Sequence, residues 1–354
     1  MMKRFPSLVV LSLALSACSQ LNPQTPAAPS AHNPMLGHEQ MAAALPVISA
    51  REATTLSSQA LSQVKVRHSY TFANGEQIHY TSVGNLAVDN DIVLGDLAEV
   101  QKNIAQYEEF LKAKANPGQL SEQGMILFRC PSMTWWGGCL TSWEGARWDQ
   151  DANGNTPVYY EPLSATMGAS GQAVVTEAMR RIQAKVPRIY FVPSTTAPNR
   201  IRFTETANNG CWSRLGRAGG VQQLNLQPPD LRTGTCQVVG IAQHEILHAL
   251  GVAHEHQRPD RDTYINVNWN ALNQTGRDNF FAYWARDVDQ NQITSFDYGS
   301  IMLYDPNDWG GAMSTAPGTV LYTTKQPVPA GTVLGQRNDL SDLDVQALKM
   351  RYGY

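Results

Sequence analysis

Apolar residues recur at steps of three and four along Leu97, Val100, Ile104, Tyr107 and Leu111, which places them on one face of a helix that Asn116-Pro117-Gly118 stops. A second set with helical spacing, Val174, Ala178 and Ile182, follows Ser170. Short apolar and aromatic runs read as strands: Val158-Tyr159-Tyr160, Ile189 to Val192, and Ile201 to Phe203. Tyr70 to Phe72 and Gln77 to Tyr80 flank Asn74-Gly75 as a small hairpin. From about His38 to Val66 Ala, Leu and Gln dominate, and helix is expected there. Strand and helix alternate after Val158, which predicts a mixed α/β layer.

At the start of the chain, Met1 to Arg4 form a short basic head, Phe5 to Leu15 an apolar run, and Ser16-Ala17-Cys18 a small-residue end. Residues 1–17 are therefore expected to be an export signal. Leu15-Ser16-Ala17-Cys18 resembles the lipobox of bacterial lipoproteins, which implies a lipid on Cys18. Ser19 is no inner-membrane retention signal, so the expected destination is the cell envelope, at the outer membrane or surface. Residues 18–37, rich in Pro, Ala, Gln, Asn and Ser, are expected to be a flexible tether.

Composition narrows the function classes. The 354 residues are 42% hydrophobic and 16% charged, which excludes a wholly disordered chain. Lys and Arg number 27 against 30 Asp and Glu, so no cationic surplus faces a phosphate backbone and nucleic acid is not an expected partner. Beyond the signal no apolar run approaches the roughly 20 residues that span a bilayer, so membrane contact is expected through the N-terminal lipid alone. Export implies an oxidising compartment. Besides Cys18, the four remaining cysteines are expected to pair as Cys130–Cys139, around Trp135 and Trp136, and as Cys211–Cys236. Neither pair has the spacing of a zinc knuckle.

The informative stretch is Gln243-His244-Glu245-Ile246-Leu247-His248-Ala249-Leu250-Gly251-Val252-Ala253-His254-Glu255-His256. Residues four apart on a helix differ by about 40° in direction and about 6 Å in rise, so His244 and His248 project from one face and can hold one metal ion. Ile246, Leu247, Ala249 and Leu250 are expected to bury the other side, and Gly251 supplies the left-handed residue that ends a helix. The sharp turn then brings His254 round as a third ligand. Three imidazoles with an open fourth position are the arrangement of catalytic zinc. Glu245, one residue after the first ligand, is placed to act as general base. The pattern His-Glu-x-x-His-x-x-Gly-x-x-His is the metzincin signature.

His254-Glu255-His256-Gln257-Arg258-Pro259-Asp260-Arg261-Asp262-Thr263-Tyr264-Ile265 and Ser300-Ile301-Met302-Leu303-Tyr304 resemble the astacin family of zinc endopeptidases, although Leu303 replaces that family's usual His. Gly210-Cys211-Trp212-Ser213, Gly216 to Gly220, Cys236, Gly335-Gln336-Arg337, Leu340-Ser341 and Asp344 extend the resemblance over about residues 145–354. It implies an α+β fold: a two-lobed metzincin domain over 141–354 with a mixed sheet and a long active-site helix, preceded by a smaller prosegment over 38–140. It further implies one zinc ion, protein or peptide substrates and an activating protease. Met302 would floor the histidines and Tyr304 would stabilise the oxyanion. An extended substrate would add along the sheet edge near Cys211 to Gly216.

The resemblance also implies a latent precursor whose Asp blocks the zinc. Asp89-Asn90-Asp91-Ile92 resembles the family's Gly-Asp-Ile motif with Asn90 in place of Gly, which points to Asp91, with Asp96 of Gly95-Asp96-Leu97 as the reserve. Glu255 would meet the new N-terminus after a cut between about residue 97 and the Trp148 region. The family's second disulfide, from the strand near Ile189 to the C-terminus, is absent here. His256 is expected to be a solvated neighbour of the site, and Trp135, Trp136, Trp143 and Trp148 to pack around a disulfide loop. The rival to an endopeptidase is a surface-anchored binding lipoprotein whose protease scaffold stays permanently latent.

Overall fold

Hydrogen-bonded pairing joins the first third of the chain to the rest in one sheet. The computed structural model describes residues 47–53, 64–112 and 147–354, apart from short gaps and the stretches 230–234 and 281–293. Val47–Ser49 (β1) lies parallel to Lys65–Thr71 (β2), and Gln77–Val83 (β3), Leu86–Asp89 (β4) and Ile92–Asp96 (β5) continue from β2 as an antiparallel meander. Thr156–Tyr160 (β6), Ile189–Pro193 (β7), Arg200–Thr204 (β8), Cys211–Arg214 (β9) and Val221–Leu226 (β10) form the other half. The order is β1-β2-β3-β4-β5-β9-β10-β8-β6-β7, and β5 meets β9 in parallel, Ile92 opposite Ser213 and Val93 opposite Arg214.

The expected hairpin is present and longer than its aromatic runs, because β2 and β3 pair from Val66–Ser82 to Thr71–Gln77. Of the helix expected from His38 to Val66, the described residues hold β1, one helical turn at Ala50–Ala53 and the start of β2, while 38–46 and 54–63 lie outside the described residues. Val47, Ile48 and Val66 are β-branched, and cross-strand pairing favours them over the helical preference of their Ala and Leu neighbours. The first part of the helical face expected from Leu97 is present, with Val100 and Ile104 buried against Phe72, Tyr80 and Ala87, whereas Tyr107, Leu111 and the Asn116-Pro117-Gly118 stop lie outside the described residues.

Ala169–Lys185 (α1) lays Val175, Ala178, Met179 and Ile182 onto a core shared with Val158, Ile201, Phe203 and Leu224 of the sheet. Val239–Ala249 (α2) crosses the same core with no exposed face, since every residue from Gly240 to Ala249 is buried. It runs 11 residues, and Gly251, at φ +91°, reverses the chain after it, as expected from the sequence. Gly240 is needed for close approach: a Cβ there would lie 1.7 Å from the Arg337 carbonyl.

A second core, built around Ile265, Phe280, Phe296, Leu303, Tyr304, Leu321 and Tyr322, follows α2. Its framework is Ile265–Val267 (β11), Gln274–Asn279 (α3), Asn307–Asp308 (β12), Thr319–Val320 (β13) and Tyr322–Thr324 (β14), with β11 against β14 and β12 against β13. Asp342–Tyr352 (α4) starts with a capping box between Ser341 and Asp344 and returns Leu348 and Tyr352 to the first core. With the small cluster of Phe72, Tyr80 and Ala87 under the N-terminal strands, helices and a mixed sheet packed over separate cores make the fold α+β.

Cys211 and Cys236 are disulfide-bonded, with Cα atoms 5.6 Å apart. Trp148 is core, donating from Nε1 to the Ala249 carbonyl at 2.8 Å. Where the family's second disulfide would lie, Tyr354 bonds Thr156 and packs under the Arg188 guanidinium, 4.3 Å from its ring centre. The expectations for Cys18, Cys130, Cys139, Trp135, Trp136 and Trp143 lie outside the described residues. Among the described residues no helix is long and apolar enough to cross a membrane.

Candidate metal centre

Helical period places His244 and His248 on one side of α2, and the left-handed turn at Gly251 carries the chain back so that His254 joins them. A side chain at Gly251 would collide with Arg351, its Cβ 2.1 Å from Nη2. Each ring is held by a hydrogen bond from Nδ1: His244 to the Ile301 carbonyl at 2.8 Å, His248 to the Val252 carbonyl at 2.7 Å, and His254 to Gln257 Oε1 at 2.8 Å. Those donors fix the tautomers and turn all three Nε2 lone pairs inward.

The Nε2 atoms of His244 and His254 lie 3.1 and 3.2 Å from that of His248. Lone pairs this close repel unless a cation lies among them. Tetrahedral bonds of about 2.0–2.1 Å set neighbouring ligands about 3.3 Å apart, so the spacing fits zinc. Burial, reinforced by the neighbouring imidazoles, holds the proton affinity of His248 well below that of a free imidazole, which keeps it in the neutral, ligating form.

A fourth group faces the three rings. Asp91, fully buried, sets Oδ2 3.3 Å from Nε2 of both His244 and His254, and Oδ1 3.1 Å from His254 Nε2. Burial acts to raise its carboxyl pKa, but the imidazoles of His254, His244 and His248 hold it well below the usual carboxylate range. Asp91, His244, His248 and His254 form a group able to hold a metal ion. Asp96, the reserve candidate, is elsewhere: it is exposed at the end of β5 and accepts from Asn85 Nδ2 at 3.3 Å.

Glu245 is fully buried on α2 next to His244. Tyr304, 3% exposed, places its ring 4.8 Å from that of His254, and Met302 is buried in the adjoining turn, its carbonyl accepting from the Glu255 amide at 3.0 Å. Leu303 contributes its side chain to the second core and its carbonyl to Arg337 Nη1 at 2.9 Å. Glu255 Oε1 accepts from the Asp297 amide at 2.7 Å and from Arg258 Nη1 at 3.0 Å. Burial pushes its carboxyl up to about 8, although Arg258 works against the shift.

His256 corrects an expectation. It is not solvated but fully buried, its ring 4.0 Å from that of Tyr304 and 5.0 Å from that of Phe280. The short helical turn Glu255–Gln257 directs it inward, and no periodicity in the sequence signals that turn. Gln257 and Val252, which fix two of the ligand rings, were likewise not singled out by sequence, though both lie within four residues of the histidine they hold.

Comparison with known proteins agrees with this geometry. The profile of the Astacin peptidase family matches residues 144–353. High choriolytic enzyme 2 of Oryzias latipes is 34% identical over 246 residues, 68% of this chain and 78% of that protein. An astacin-like metalloendopeptidase of Gallus gallus is 32% identical over 206 residues, 58% of this chain and 46% of that protein. The structure of high choriolytic enzyme 1, a hatching enzyme zinc-protease from Oryzias latipes, superposes with a TM-score of 0.50 at 33% identity, covering 59% of this chain and 96% of that one. A profile match over more than half of the chain, on a fold whose buried histidines are spaced for zinc, makes this protein a member of the astacin family of zinc metalloendopeptidases.

Proposed function

We propose that this chain is a secreted zinc endopeptidase made as a latent zymogen, in which Asp91 occupies the position that the attacking water needs. The observation that carries the reading is the Asp91 carboxylate lying within 3.3 Å of Nε2 of both His244 and His254 while the strand that follows it, β5, covers the β9 edge. His244, His248 and His254 are the zinc ligands in this reading. When bound, zinc supplies a Lewis acid that polarises the scissile carbonyl and makes water acidic near neutral pH. Glu245 takes the proton of the attacking water and delivers it to the leaving amine. The Tyr304 hydroxyl donates to the oxyanion, and Met302 gives the histidines an apolar floor. The β9 edge presents backbone groups to an extended protein or peptide substrate once β5 has left.

Residues 38–140 form the inhibitory segment in this reading, and an activating protease cuts between about residue 97 and Trp148. The new N-terminal ammonium then meets Glu255, whose buried carboxyl has Asp297 and Asp344 close enough to raise its pKa further. A lipid on Cys18, after removal of residues 1–17, would hold the precursor at the cell envelope until cleavage released the enzyme. The Cys130–Cys139 pair would close a loop within the removed or boundary segment.

The test is casein cleavage by the full-length protein and by protein trimmed to about residue 141, each beside its Glu245→Ala variant, with zinc content measured. Activity confined to the trimmed protein, and lost in Glu245→Ala with zinc retained, is expected. Absence of activity from every form despite stoichiometric zinc would replace this reading with the permanently latent binding lipoprotein.

A further inference from the structure

Outside the groups already assigned, a buried polar cluster joins α4 to the turn beneath the histidines. His244 donates from Nδ1 to the Ile301 carbonyl at 2.8 Å. The amide of that same peptide group, Met302 N–H, donates to Ser300 Oγ at 2.9 Å. Ser300 in turn donates its hydroxyl proton to Asp344 Oδ1 at 2.6 Å. The row is thus imidazole, peptide, hydroxyl, carboxylate, with every donor and acceptor used in its permitted sense. All of it is buried: His244 and Ile301 are 0% exposed, Ser300 and Met302 1%, and Asp344 5%. The other oxygen, Asp344 Oδ2, accepts from the Ile301 and Ser341 amides, each at 2.9 Å, and so clamps the turn from a second side.

We infer that Asp344 is a positioning residue for the metal centre, acting through Ser300 and the peptide between Ile301 and Met302 to orient His244 and raise the donor strength of its Nε2. A carboxylate behind a ligating imidazole makes that imidazole a stronger ligand. Here the same effect passes through two intermediate groups, each polarised by the next in a low-dielectric interior. The carboxylate strengthens the serine as an acceptor, the peptide amide it receives leaves the Ile301 oxygen more negative, and that oxygen draws on the His244 Nδ1–H. The inference rests on His244 being a zinc ligand.

The test uses the full chain and reads zinc affinity by chelator competition together with the His244 Nδ1 proton resonance in nitrogen-labelled, zinc-loaded protein. Ser300→Ala cuts the row and leaves the α4 capping box in place. It is expected to weaken zinc binding about tenfold and to move the resonance upfield. Ser341→Ala removes the helix cap and spares the row, so it is expected to lower the melting temperature with zinc affinity and the resonance unchanged. Unaltered affinity and resonance in Ser300→Ala, or equal changes in Ser341→Ala, would overturn the inference. His244→Ala separates the underlying reading: if it binds zinc as tightly as the parent, the ligand assignment itself fails.

Discussion

The backbone carbonyl of Asp91 accepts a hydrogen bond from the Ser213 amide at 2.8 Å, so the residue that faces the histidines is anchored by its main chain to the edge of the catalytic sheet. One short parallel ladder therefore sets both the depth of the carboxylate and the blockage of the β9 edge. Native-state hydrogen exchange should report this directly. The Ser213 amide is expected to be protected in the full-length chain and to exchange faster after trimming, whether or not zinc is present. Equal protection before and after trimming would show that β5 does not govern that edge.

Gly251 sits at φ +91° with the buried Arg351 guanidinium where a side chain would go. Gly251→Ala imposes both a left-handed alanine and a clash, at a cost of about 2 kcal/mol or more. Because the same turn delivers His254, zinc affinity should fall along with stability. Denaturant unfolding and zinc titration of the variant check this, and unchanged values in both would contradict it.

Different parts of this site were legible in the sequence to different degrees, for physical reasons. His244, His248, Gly251 and His254 lie within one helix and one turn, where local geometry is set by near neighbours, and they stand where their spacing placed them. Cys211 and Cys236 are close in sequence and are paired as expected. Asp91 emerged only through family resemblance, because its meeting with α2 depends on a contact 153 residues away in the chain. The pairing of β5 with β9 and the row ending at Asp344 are equally non-local, and no pattern of apolar positions encodes such contacts. Val221–Leu226 hides its strand nature behind Gln222, Gln223 and Asn225, two of which are buried in hydrogen bonds of their own. His256 reads as polar and solvated from its type, yet ring packing against Tyr304 takes it out of water.

Lys65, 7% exposed in β2, has its ammonium pushed down to about 8 by burial, against 10.5 for a free side chain. The unfolded chain then binds this proton more tightly than the folded one, so stability is penalised in full below about pH 8 and recovers as pH rises toward 10.5. Lys65→Met should stabilise the protein by up to about 3 kcal/mol at neutral pH. The difference should shrink steadily as the melts are taken to higher pH. A variant less stable than its parent at pH 7 would contradict the assignment.

Arg67 of β2 and Asp278 of α3 form an ion pair at 3.1 Å that ties the N-terminal segment to the framework of the second core. Both side chains are partly exposed, at 30% and 17%, so water screens the pair and its worth is about 0.5–1 kcal/mol. Arg67→Ala is expected to raise the residual activity of uncut protein by roughly twofold to fivefold. High salt should reduce the gap between variant and parent. No difference at low salt would remove the pair from the latency mechanism.

The most direct test of the account is the peptidase activity of the uncut, zinc-loaded chain carrying Asp91→Ala, measured beside Asp96→Ala and the parent. Asp91 is buried among three histidines just before β5, and Asp96 is exposed at the far end of that strand. The account predicts activity in Asp91→Ala without any cleavage of the chain, and continued latency in Asp96→Ala and the parent. Continued latency in Asp91→Ala with zinc bound would contradict it.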